Sequence, residues 1–146
     1  MIDYKYFLIQ NPWWLQKQAI EKDDKVVEHA RARYPYTPED ILGLPLGKGD
    51  VHVITGPRQT GKSTALKLLI KKYIDRGTLP PRSLVYFGCD AVDGAQGLID
   101  LILAYQEFTA TQEATLMILD EVSSVDHWPQ AIKWLVDAGR MKQTTM

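Results

Sequence analysis

The sequence predicts an α/β fold, a three-layer α/β/α sandwich around a mainly parallel sheet. Three observations predict it. Short β-branched or apolar runs at 51–55, 83–88 and 115–119 each give way to a longer stretch whose apolar residues recur at helical spacing. The second and third runs are mainly apolar without alternation, as expected of strands covered on both faces of a parallel sheet. Polar or glycine residues (Gly56, Asp90 and Asp120) follow the runs at their carboxyl ends, the edge at which such sheets hold ligands. Successive strand–helix units imply right-handed crossovers.

Size and composition agree with one such domain. The chain has 146 residues, enough to bury a core without disulfides. Hydrophobic content of 45% and charged content of 24% exclude disordered and collagen-like classes. The net charge of −1 gives no overall footprint for nucleic acid. The lysine row Lys67, Lys71 and Lys72 is expected to be a solvated helix face. A single cysteine, Cys89, rules out an intramolecular disulfide and a thiol-built zinc site. The amino terminus lacks the apolar core and cleavage site of a signal peptide, and no apolar run reaches the ~18 residues of a membrane span. The expectation is a cytoplasmic protein with no membrane partner.

Two regions are expected along the chain: an irregular or helical segment over 1–49 packed on the core, and the core itself over 50–146. In the first, Tyr4, Phe7, Leu8, Trp13 and Trp14 make an aromatic opening broken at Pro12, expected to cap a core. A charged helix is predicted over 20–32, with Val26, Val27 and Ala30 as its apolar side. Pro35, Pro38 and Pro45 then enforce turns, and Gly47 and Gly49 bracket a turn into the first strand at 51–55.

In the second region, Leu66, Leu69, Ile70, Tyr73 and Ile74 share one face of a helix that Gly77 ends. A strand over 83–88 leads to Cys89-Asp90, and Leu98, Leu101, Ile102 and Tyr105 mark the next helix between about 94 and 108. The third strand, 115–119, ends directly on Asp120-Glu121. Asp126 is placed as an N-cap and Pro129 in the first turn of a helix that runs to Gly139.

The chemistry concentrates in two places. Gly56, Gly61, Lys62 and Ser63 satisfy G-x-x-x-x-G-K-[ST] between a strand and a helix, the context this phosphate loop requires. Gly56 and Gly61 are expected to free the backbone so that amides turn toward phosphates, with the helix N-terminus adding unpaired donors. The whole stretch Gly56, Pro57, Arg58, Gln59, Thr60, Gly61, Lys62, Ser63 and Thr64 is therefore the candidate nucleotide cradle. Lys62 is assigned to the β- and γ-phosphates, Ser63 to Mg²⁺ and Thr64 to the α-phosphate.

The second place is the acid pair. Two carboxylates at the end of a buried strand need a compensating cation, and Mg²⁺-nucleotide supplies one. Asp120 is the metal-orienting acid beside Ser63, and Glu121 is the general base that takes a proton from water. Lys62 and Glu121 are thus the candidate catalytic residues, with Ser63 and Asp120 on the metal. Two roles stay open to Asp90, membership of the acid cluster or an N-cap. Arg58 has three possible destinations: solvent, a partner subunit or the nucleotide. Ser123 and Ser124 read as turn residues. His29, His52 and His127 lack ligand spacing.

The residues together resemble the AAA-superfamily ATP-binding proteins of bacteria and archaea. The likeness is carried by Asn11-Pro12-Trp13-Trp14, by the run from Ile54 through Thr64, and by Ile118-Leu119-Asp120-Glu121-Val122 leading to Asp126-His127-Trp128. The resemblance implies ATP as the nucleotide, with Lys62, Ser63, Asp120 and Glu121 in the roles above. It also implies a fourth strand between the 51–55 and 115–119 strands, then a sensor residue, an arginine and a helical lid. The sequence ends at Met146, as if at the first step into that strand, so a partial P-loop NTPase core of AAA type is expected. Such a core has an open slot for a partner chain, a second copy or the amino-terminal segment.

Three functions follow as expectations. The first is Mg²⁺-dependent ATP hydrolysis, slow without the arginine, which is worth about 10³ to 10⁵ in rate. The second is a non-catalytic nucleotide-binding module that assembles with partner chains. The third is a small-molecule kinase, disfavoured by the adjacent acid pair and by the lack of an arginine-rich lid after the third strand.

Overall fold

Two apolar runs form the main strands of the sheet because neither has an internal glycine or proline and both are rich in β-formers and large apolar residues. A computed structural model of the chain describes residues 2–110 and 114–146. Its elements in order are α1 (Tyr4–Gln10), α2 (Asp24–Arg31), α3 (Glu39–Leu42), α4 (Lys62–Arg76), β1 (Leu84–Gly88), α5 (Gly94–Thr109), β2 (Thr115–Asp120), α6 (Trp128–Asp137) and β3 (Thr144–Thr145). Short 3₁₀ turns at Pro12–Trp14, Lys17–Lys22, Pro81–Ser83 and Val122–Ser124 join them.

The sheet is parallel, in the order β1-β2-β3. Leu84 is opposite Leu116 and Gly88 opposite Asp120, so the acid stands level with the end of β1. Most residues of β1 and β2 are buried, with Leu84, Val85, Phe87 and Met117 fully so, and Tyr86, Gly88 and Leu119 are partly buried.

The expected first strand is only begun. Gly49 N donates to Thr144 O (3.0 Å), Met146 N to Asp50 O (3.0 Å) and His52 N to Met146 O (2.7 Å). That is the bonding of a parallel ladder, and it lays residues 49–52 along the far side of β3. Residues 53–55 run on past Met146 and belong to no strand, with Val53 61% exposed. The ladder bonds to residues 144–146 stop at His52. Residues 144–146 therefore occupy the base of the slot between 49–55 and β2. Above them lies a mostly apolar cleft of about 290 Å³, walled by Val51–Gly56 on one side and β2 on the other, with Leu66, Leu69, Trp128 and Ile132 around it.

The helices follow the predicted spacing, with three corrections. Gly61 (φ 85°) starts α4 and Gly77 (φ 65°) ends it, the latter donating to Tyr73 O and Ile74 O. Leu69 and Ile70 are buried, and Leu66, Tyr73 and Ile74 pack against the core. Two lysines of the α4 row, Lys67 and Lys72, do not face solvent, the first correction, while Lys71 pairs with Asp75 at the surface. Lys67 is buried, its Nζ 3.0 Å from Asp23 Oδ2 and 3.9 Å from the centroid of the Tyr86 ring, and Lys72 donates to Leu42 O. Helices α2 and α3 pack over this face, which helical periodicity within α4 has no means of registering. Second, the N-cap of α6 is His127 in the left-handed region (φ 59°), not Asp126, although Pro129 does sit in the first turn. Third, α5 is capped at Asp93 with no side-chain bond, so Asp90 is not its N-cap.

The amino-terminal residues seal the outer edge of β1 with side chains. Asn11 Oδ1 accepts from Tyr86 N (2.7 Å), and its Nδ2 donates to Tyr86 O (3.1 Å) and Phe7 O (2.9 Å). Gln10 Oε1 accepts from Gly88 N (2.6 Å), while the indoles of Trp13 and Trp14 both donate to Leu84 O. Side chains thus replace a neighbouring strand and leave no free edge there. Phe7 sits beneath this seal among Phe87, Phe108 and Tyr105, and Trp13 and Trp14 are core residues.

Candidate functional site

The loop before α4 is built from bonds to its own backbone. Thr60 Oγ1 donates to Pro57 O (2.8 Å), and Gln59 (φ 61°) and Gly61 (φ 85°) turn through the left-handed region into the helix. That conformation is the demand for glycine at position 61. At Gly56 the demand is weaker than the motif suggests: its φ is not positive, and a Cβ would meet only ordinary contacts, the nearest Thr60 Oγ1 at 3.5 Å. Because Gly61 has no side chain to cap α4, the first-turn amides are left to face an anion.

In front of that turn is a hollow of about 360 Å³. Arg58, Gln59, Gly61, Lys62, Ser63 and Thr64 line one side of it, and Asp90 and Glu121 another. Lys25, from α2, completes the wall. The Lys62 ammonium is folded back onto its own loop, donating to Gly56 O (2.7 Å) and Pro57 O (2.6 Å). Pro57 and Thr60 shape the loop through their mutual bond and line neither hollow nor cleft.

Asp120 ends β2 with 6% of its surface exposed. Both carboxylate oxygens are held: Oδ2 accepts from the Tyr86 hydroxyl (2.6 Å) and Oδ1 from Glu121 N (3.0 Å). Burial, then the bond to Asp120, pushes the Tyr86 phenol far above its ordinary range, so it stays a proton donor. Glu121 follows in the left-handed region (φ 53°), an uncommon conformation for a side-chain-bearing residue and one that turns the chain sharply at the strand end. Ser124 Oγ donates to Glu121 O (2.7 Å), consistent with a turn role.

The structure distributes the candidate residues over two adjoining spaces. Gly56, Lys62, Asp120 and Glu121 line the apolar cleft, whereas Ser63, Thr64 and Asp90 line the hollow with Lys62 and Glu121 again. Lys62 and Glu121 thus stand on the wall common to both. Among the described residues no cluster of three or more His, Cys, Asp or Glu is suited to hold a metal. A hard cation arriving with phosphates needs only one or two protein oxygens, and Ser63 and Asp120 are of that kind.

Sequence reasoning missed Lys25, Lys67 and Tyr86. Asp23 carried a signal, an acidic residue ahead of an amphipathic stretch, and it does cap α2 through bonds from Lys25 N and Val26 N. Nothing in the order of residues marks Tyr86, which reaches Asp120 only through the pairing of β1 with β2.

A family model described as an AAA domain matches residues 48–146. The chain belongs to the AAA domain family. No curated protein and no solved structure matches it significantly. The matched residues of this AAA domain include the phosphate loop, all three strands and the acid pair, and family membership makes it a nucleotide-binding domain. Residues before 48, including α1, α2 and the edge seal, lie outside the match. No helix among the described residues is long and apolar enough to cross a membrane.

Proposed function

We propose that this AAA domain binds ATP with Mg²⁺ and hydrolyses it. The observation that carries the reading is the common wall: Lys62 from the phosphate loop and Glu121 from the strand end border the same hollow in front of α4. The amides of residues 62–64 and the loop receive the phosphates. Lys62 exchanges the carbonyls of Gly56 and Pro57 for β- and γ-phosphate oxygens. Ser63 and Asp120 would hold a Mg²⁺ brought in with the nucleotide, and that ion would supply charge neutralisation of the phosphates. Tyr86 and the Glu121 amide hold the Asp120 carboxylate in one orientation. Glu121 accepts the proton of the water whose oxygen attacks the γ-phosphorus in line, the bond to the β-phosphate oxygen breaks, and ADP and phosphate leave.

One observation favours a second reading, a nucleotide-binding module completed by another chain or a second copy. The apolar cleft opens beside Asp120 and Glu121, and a site open to water loses much of its electrostatic advantage. Titration calorimetry with ATP, with and without Mg²⁺, together with phosphate release, separates the cases. Lys62→Ala is expected to weaken ATP binding at least tenfold. Glu121→Gln is expected to keep binding and lower turnover by about 10²-fold or more. Wild-type affinity in Lys62→Ala overturns the nucleotide assignment. Tight binding without turnover in the wild type leaves the module reading in place.

A further inference from the structure

The phosphate hollow has a third cation that neither the motif nor the family match accounts for. Lys25 lies in α2, outside residues 48–146, yet it lines the hollow with Arg58, Lys62, Ser63, Thr64, Asp90 and Glu121. It is exposed, and among the described residues it has no ion pair. Its place in the helix is also unfavourable. It follows Asp24 in the first turn of α2, where the macrodipole disfavours a positive charge. A cation kept at the wrong end of a helix, facing a hollow built for anions, is a local conflict of the kind found at functional positions.

The backbone that carries Lys25 is fixed to the helix that carries the phosphate loop. Asp23 Oδ1 accepts from Lys25 N (3.0 Å) and Val26 N (3.4 Å), while Asp23 Oδ2 pairs with Lys67 of α4 at 3.0 Å. Val26, the next residue, is buried in the core. Both oxygens of one carboxylate thus tie the first turn of α2 to α4, five residues beyond Lys62 in sequence. The side chain of Lys25 is left to reach across the hollow. With it the hollow presents three cations, Lys25, Arg58 and Lys62, against the carboxylates Asp90 and Glu121.

We propose that Lys25 is a polyphosphate-binding residue, contributed in cis by the amino-terminal segment to the outer phosphates of the nucleotide. This rests on the nucleotide reading above and adds to it a contact from outside the matched domain. A charge meeting the outer phosphates acts on ATP and leaves AMP nearly untouched, and its effect falls with ionic strength.

The test compares dissociation constants for ATP and AMP in the full chain at low and high salt, using the wild type, Lys25→Ala, Lys25→Arg, Lys62→Ala and the exposed control Lys17→Ala. Expected for Lys25→Ala is about tenfold weaker ATP at low salt, a smaller loss at high salt, AMP within twofold and a melting temperature equal to or slightly above that of the wild type. Lys25→Arg is expected to stay within about threefold of wild type and Lys17→Ala to match it. Wild-type ATP affinity in Lys25→Ala with Lys62→Ala weakened overturns this inference and leaves the nucleotide reading standing. Equal losses for ATP and AMP, or the same loss in Lys17→Ala, overturn it too, since both mean an indirect or bulk effect. Wild-type affinity in Lys62→Ala removes the nucleotide reading and this inference with it.

Discussion

Replacing Lys67 tests how the amino-terminal segment is held. Its ammonium pairs with Asp23 at 3.0 Å while both side chains are largely buried, 11% and 17% exposed, and it lies 3.9 Å from the centroid of the Tyr86 ring. Removing one partner of a buried pair costs about 3–5 kcal/mol, because the other charge is left uncompensated. The residual exposure of Asp23, and its second oxygen bonded to two amides, argue for the lower end. Methionine keeps the volume and returns part of the ring contact, worth about 0.3–1.5 kcal/mol. Lys67→Met should therefore lose about 2–3 kcal/mol. Asp23→Asn keeps a capping oxygen, so in the Lys67→Met background it should restore about half of the loss or more by removing the stranded charge. Urea unfolding of the two single variants and the double, read as a thermodynamic cycle, gives the coupling. A loss under 0.5 kcal/mol for Lys67→Met, or a double variant as unstable as the sum of the singles, refutes the buried-pair argument.

Three further predictions follow from the same kind of accounting. Asn11→Ala strips the partners of Tyr86 N and O and should cost about 2–4 kcal/mol in urea; Asn11→Asp should cost more, because it sets a carboxylate against Phe7 O and Tyr86 O, and a milder Asp variant would contradict the edge-seal geometry. Tyr86→Phe should lower stability by about 1.5–3 kcal/mol through the lost bond to buried Asp120, and should cost little extra in an Asp120→Ala background, which has no oxygen left to accept it, if that bond is the cause. Burial, with Asp120 and Asp90 adding to it, pushes the Cys89 thiol up to about 12, from 9.0 when free of the fold. The unfolded chain then gives up this proton first, so stability falls as pH rises between those values; Tyr105, raised mainly by burial, acts in the same direction. Iodoacetamide at pH 8 should leave folded Cys89 unmodified and label it in guanidinium, and fast labelling of the folded chain would contradict the burial.

The sequence by itself determined the elements whose causes are local. Gly61 and Gly77 bound α4 because each takes up a left-handed turn, and β1 and β2 are visible as apolar runs because both faces are covered. The G-x-x-x-x-G-K-S pattern and the acid pair stand out in the sequence for a similar reason, since their spacing beside a strand end and a helix start is local. The tertiary structure decided what depends on contact across the chain. The β-branched run at 51–55 has the composition of a strand, but only cross-chain pairing makes one, and its ladder bonds to residues 144–146 stop at His52. Lys67 has the spacing of a solvated lysine and becomes buried because α2 covers it; Tyr86 has the look of a core residue and becomes a donor to Asp120 because β1 pairs with β2 in that register. A charge or a hydroxyl takes its meaning from what faces it, and the facing groups, Asp23 and Asp120, come from residues far away in the sequence.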